Sequence, residues 1–198
     1  MLKKNYRDEI LRLLTQEFVP AGYLISSKVS LDPVAESVKY DALHFSLNDK
    51  RIVYRKGKVT PDRPGAFLAL WQRPAPQATE ANKPVPYTSS DLDFLFVRVE
   101  GHSMISDEIE QSLNCGLFVF PVSVLVDKGI VSSPTSKGKT GFRVFAPWSQ
   151  DRGTVGTKVF SASGKKTQRW QLPFFLEVDE KGLIDTNKLN KLLSHAKV

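Results

Sequence analysis

"DFLFVRVEG" (Asp93–Gly101) is the stretch on which the fold turns. Its apolar residues run without a break from Phe94 to Val97. A strand with one wet face alternates apolar and polar residues. A continuous run suits a strand covered on both faces, so this segment is expected inside a sheet with other layers on either side. Downstream, "GLFVFP" (Gly116–Pro121) is a second such run, stopped by proline. "VSVLVDKGI" (Val122–Ile130) then reads as a short helix closed at Gly129. Upstream, "ALHFSL" (Ala42–Leu47) and "RIVYRKGKV" (Arg51–Val59) flank "NDK", the signal of a hairpin turn. "AFLALWQR" (Ala66–Arg73) follows the turn "TPDRPG" and reads as a third strand. "GFRVFAPW" (Gly141–Trp148) and "FFLEV" (Phe174–Val178) complete the set.

Helices are expected at both chain ends. Over residues 5–18, Tyr6, Ile10, Leu13, Leu14 and Phe18 form one apolar stripe, with Asn5 as cap and Asp8 three residues on. "DPVAESVKY" (Asp32–Tyr40) carries a cap at Asp32 and a proline at the first helical position. "GKKTQRWQ" (Gly164–Gln171) opens a helix that Pro173 stops. Residues 185–197 form a terminal helix on Leu189, Leu192 and Leu193. Between Pro74 and Ser90 lies a proline-rich loop. The sum is one mixed α+β domain over 1–198, a central mixed sheet flanked by helices, with its core at 40–175.

The formal charge is +7. Such a surplus attracts polyanions, of which nucleic acid is the commonest. No apolar run reaches the roughly 20 residues needed to span a bilayer. The start lacks the apolar centre of a secretory signal. One cysteine, Cys115, forms no internal disulfide, which fits the reducing cytoplasm. With His44, His102 and His195 it makes no zinc spacing.

"VRVEGHSM" (Val97–Met104) resembles the nucleophile turn of self-cleaving repressors and signal-peptidase-like serine proteases. Those enzymes activate serine with a buried neutral lysine. Here Lys137 and Lys139 stand in a Ser/Gly-rich loop, where an ammonium stays solvated and charged. Ser103 therefore reads as a turn or capping residue.

A longer series of motifs carries a second resemblance. "YRKGKVTPDRPGAFLALWQR" (Tyr54–Arg73), "DLDFLFVRV", "GLFVFPVSVLVDKGI", "GFRVFAPW" and "KKTQRWQ" follow in order. Over roughly residues 40–175 the chain resembles the MepB family of small bacterial proteins. The resemblance implies a restriction-endonuclease-like core and, with it, a link to nucleic acid; it does not imply cleavage.

Read as residues, two basic clusters interleave with aromatics. Arg55, Lys58, Trp71 and Arg73 form the first. Arg55 and Lys58 have opposite parity, and a bulge at Gly57 is the device that brings them together. Trp71 and Arg73 share a face, a stacking and phosphate-contact pair. Lys139, Arg143, Lys166, Gln168 and Trp170 form the second. The lysines and arginines would meet phosphates, the rings bases, and Gln168 a base edge. Backbone amides near Lys166 and Thr167 would face a phosphate if the helix opened there. The expected partner is DNA or RNA, without a required cofactor.

The alternative is a metal-dependent endonuclease using Mg²⁺. That chemistry needs two acids and a lysine two residues after the second. Asp62 follows Pro61, Asp93 begins a strand and Glu100 ends it. No lysine stands two residues after Glu100, where His102 does. Asp93, Asp62 and Glu100 are thus weak acid candidates without a conventional centre.

Overall fold

A computed structural model describes residues 6–73, 83–102 and 113–194. Nine strands form two sheets among these residues. The larger has the order β1 (Ser30–Leu31), β2 (Leu43–Leu47), β3 (Lys50–Lys56), β6 (Phe94–His102), β7 (Leu113–Pro121), β9 (Phe175–Val178). Its neighbours are antiparallel except β3 and β6, which run parallel. The smaller sheet is antiparallel: β4 (Lys58–Thr60), β5 (Arg63–Ala69), β8 (Gly141–Val144).

The Phe94–Val97 run does lie covered on both faces. Phe94 and Phe96 join one core cluster with Ile10, Leu14, Phe18, Leu189 and Leu192. These come from α1 (Tyr6–Leu13), the π turn after it, and α4 (Thr186–Ser194). Leu95, Val97 and Val99 face the other way, toward Ala66, Leu68 and Val144 of the small sheet and toward Leu125 of α2 (Val122–Asp127). The large sheet is thus the middle layer, and strand parity assigns each side chain to one core.

The expected N-terminal helix is an α-helix that passes into a π turn at Leu14–Phe18. Ile10, Leu14 and Phe18 are spaced by four. That spacing overshoots an α turn and undershoots a π turn, so the join keeps all three pointing inward. "NDK" closes the β2–β3 hairpin, with Asn48 and Asp49 both at positive φ, 46° and 61°. This is the two-residue turn whose twist suits paired strands. "DPVAESVKY" forms a 3-10 helix over Ala35–Tyr40.

Three expectations are corrected. "AFLALWQR" forms a strand only to Ala69, and it pairs with β4 and β8, not within the large sheet. The bulge at Gly57 does not bring Arg55 and Lys58 together. Instead the chain leaves the large sheet there and enters the small one, with Gly57 N–H donating to the Arg98 carbonyl at 2.9 Å. The helix α3 (Ala162–Gln171) opens at Ser161, whose hydroxyl accepts from Gly164 N–H at 3.1 Å. The amides of Lys166 and Thr167 therefore lie inside the helix, committed to its own ladder. The terminal helix is seen over Thr186–Ser194; residues 195–197 of the expected range lie outside the described residues.

Candidate functional site

The two basic clusters meet at the small sheet. Lys58, Phe67 and Arg143 are cross-strand partners on β4, β5 and β8 and share one face. The guanidinium of Arg143 lies 5.9 Å from the centre of the Phe67 ring. Its nitrogens donate to Thr60 Oγ1 at 2.9 Å and to the Pro64 carbonyl at 3.3 Å. Arg143 thus fastens the β4–β5 turn. A phosphate, the contact expected for Arg143, would have to compete with its own chain for these donors. Burial lowers its pKa from the ordinary arginine value.

Helix α3 lies across the outer edge of β8. Buried Gln171 accepts from Phe145 N–H at 2.8 Å and donates to the Arg143 carbonyl at 3.0 Å. Gln168, three residues earlier on the same helix face, donates to the Ala146 carbonyl at 2.8 Å. Two side-chain amides thereby occupy backbone groups that another strand would otherwise seek. The Nε2 donor of Gln168, a residue expected to read a base edge, is thus engaged with the chain's own backbone.

Between α3 and β8 runs a shallow depression of about 400 Å³, lined by Lys128, Lys139, Phe142, Arg143, Thr167 and Trp170. Trp170 is half-buried, packed at 5.7 Å on Phe120, with Lys128 Nζ 6.0 Å over its ring. Only part of the indole is open to a stacking partner. Lys139, Lys165, Lys166 and Arg169 are exposed. Nothing among the described residues pairs with them by salt bridge or side-chain hydrogen bond. Residues 128–176 hold nine basic side chains and one acid, Asp151, a surplus of eight. The whole chain has a surplus of seven, so the rest is close to neutral.

The Arg73 guanidinium lies 5.3 Å from the centre of the Trp71 ring. Arg73 also pairs with Glu36 at 2.5 Å. Leu70 N–H donates to the Thr140 carbonyl, so this segment leaves the small sheet at the end where Lys139 enters. Lys58 is exposed, 5.9 Å from the centre of the Tyr40 ring.

Arg55 is different. It is wholly buried, and its placement on a nucleic-acid surface is corrected. Arg55 Nη2 donates to Asp32 Oδ2 at 2.5 Å and to Tyr87 Oη at 3.1 Å; Nη1 reaches the Tyr54 carbonyl at 2.9 Å. His44 Nε2 lies 2.8 Å from the same Asp32 oxygen. A carboxylate only accepts, so that nitrogen carries the proton. Asp32 Oδ1 accepts from Val34 N–H at 2.8 Å. Burial pushes against the Asp32 charge, but the His44 hydrogen bond, the Arg55 charge and the Val34 amide outweigh it. The carboxyl is held well below its ordinary range. Burial pushes the Tyr87 hydroxyl up to about 12.

The three acid candidates do not converge. Asp93 sits at the start of β6, where Oδ2 accepts from Arg51 N–H at 2.8 Å and Nε at 3.0 Å. It pegs the parallel strands together. Glu100 is seven residues along, about 23 Å away at the rise of a strand. There Lys56 Nζ meets it at 2.7 Å and Arg98 Nε at 3.0 Å. Asp62 is exposed in the β4–β5 turn beside Arg63. Among the described residues no three His, Cys, Asp or Glu side chains gather as a metal site. Ser103 and the His102 side chain lie outside the described residues.

A family model of MepB-like proteins matches residues 35–177, well over half of the chain. The chain belongs to the MepB-like family. A crystal structure of MepB is similar to this MepB-like chain, with a TM-score of 0.60 and 25% identity. The match covers 91% of this chain and 99% of that one. No curated protein matches it. The family match spans the motifs from "YRKGKV" to "KKTQRWQ" and the elements that carry the basic surface. No helix among the described residues is long and apolar enough to cross a membrane.

Proposed function

We propose that this MepB-like protein binds nucleic acid, DNA or RNA, on the face that α3 and β8 share. The segregation of charge carries this reading. A surplus of eight is gathered into 49 residues whose side chains include Lys139, Lys165, Lys166 and Arg169. Unpaired exposed cations attract phosphates and release their counterions on contact. Arg143, Gln168 and Gln171 act behind them, fixing the strand and helix that present the cations. The open edge of Trp170 and the Trp71–Arg73 stack flank the same sheet and offer planar contacts to bases. The restriction-endonuclease-like core implied by the family resemblance agrees with a nucleic-acid partner. Binding of this kind needs no cofactor, and the lone buried Cys115 suits action in the cytoplasm.

Fluorescence anisotropy with labelled single- and double-stranded DNA and RNA tests the reading. Binding at low salt should weaken in Lys166→Ala and Arg169→Ala, variants of exposed residues that leave the fold intact. Absence of binding at low salt, or binding indifferent to both substitutions, removes nucleic acid as the partner of this face.

A further inference from the structure

A cleft of about 650 Å³ opens where the two sheets diverge beyond Gly57. It lies on the opposite face of β8 from the basic surface: Val144 lines the cleft, while its neighbour Arg143 lines the depression under α3. We propose that this cleft binds a nucleoside monophosphate, independently of the nucleic-acid reading.

The floor is apolar, made by Val59, Ala66, Val99, Val144 and Ala146. One wall is the indole of Trp148, and its position is built in. A Cβ at Gly101 would come within 2.1 Å of Trp148 Nε1, so the ring rests directly on the β6 backbone. A Cβ at Gly116, on the neighbouring strand, would come within 2.1 Å of the Phe175 ring. Trp148 and Phe175 meet edge to face at 5.5 Å. Two glycines on a diagonal across β6 and β7 thus seat two rings that brace each other. A flat aromatic ligand finds a fixed stacking surface there, with an apolar floor beneath.

The charge of the lining selects the other half of the ligand. Lys56, Lys58 and Arg152 line the cleft with one acid, Glu100. Burial works against the Glu100 charge, but Lys56 and Arg98 outweigh it and hold its carboxyl below the ordinary value. Glu100 is neutralised within its own cluster, and the Lys58 side chain points to the Arg143 face of the small sheet, which leaves Arg152 as the surplus cation at the rim. Ser149 and Gln150 add polar contacts at the rim. An apolar floor, an indole wall and a cationic rim fit a base joined to a phosphate. The volume lies in the range of small-molecule sites.

The test uses the full chain and adenosine 5′-monophosphate as probe. Titration is followed by calorimetry and by the indole N–H resonances, with the Trp148 signal assigned by its loss in Trp148→Phe. One equivalent should bind saturably and move the Trp148 resonance, leaving those of Trp71 and Trp170 in place. Arg152→Ala, at an exposed position, should weaken binding about tenfold or more with an unchanged melting temperature. Adenosine should bind at least about tenfold more weakly, and inorganic phosphate should leave the indole signal unmoved. No saturable binding, a shift confined to Trp170, or equal affinity for adenosine overturns the proposal. Oligonucleotide binding by the Trp148→Phe chain reads the α3–β8 face separately, so either proposal can fail alone.

Discussion

Arg55 stands in a strand whose neighbours Ile52, Val53 and Tyr54 are all buried. That run of apolar residues was the signal that no wet face existed for it. What the sequence did not display was its partner: Asp32 lies 23 residues away, in a segment legible only as a helix cap. A buried ion pair is costly to break from one side, because the remaining charge has nowhere to go. Arg55→Met should therefore destabilise the fold by about 3–5 kcal/mol, measured by urea denaturation, and leave the salt dependence of oligonucleotide binding alone. The pH response of the same cluster has a fixed sign. The Asp32 carboxyl is depressed in the folded chain, so its contribution is complete above its ordinary value of 3.8 and fades as pH falls toward the folded value. The stability difference between the native chain and Asp32→Asn should be constant near neutrality and shrink below about pH 4.

At the scale of elements, the strands were legible and their partners were not. The apolar run "AFLAL" after a turn identifies β5, but nothing in it names β8, which pairs Ala66 with Val144 across the length of the β6–β7 unit. The candidate basic residues were legible as a set, but not which of them face outward. Gln168 and Arg143 look like surface readers in sequence, and in space each also bonds its own chain. Gly65 stands inside β5 at a φ of 73°, and a Cβ there would strike the Val144 carbonyl at 2.6 Å. Gly116 is a packing glycine that no pattern announces. Gly116→Ala forces a methyl into the Phe175 ring and should cost about 1–3 kcal/mol as an overpacked site. Denaturant midpoints of the variant and the native chain check this.

For the whole molecule, the surplus charge sets how binding responds to salt. If about four of the exposed cations meet phosphates, log K should fall with log salt at a slope of about −3 to −4. Raising salt from about 50 to about 200 mM should then weaken binding on the order of a hundredfold. A slope near zero in the anisotropy titration would contradict this. The parallel joint between β3 and β6 has a consequence of another kind. The chain between Lys56 and Phe94 supplies β4 and β5 of the small sheet before it returns to lie beside the strand it left. β2 with β3 closes through a two-residue turn, whereas β3 with β6 closes a loop of nearly forty residues. Closing the longer loop carries the larger entropic cost. The middle of the sheet, its most buried seam in the finished protein, is then late to form as the chain folds. Damage to that seam would appear chiefly as faster unfolding, with the folding rate little changed.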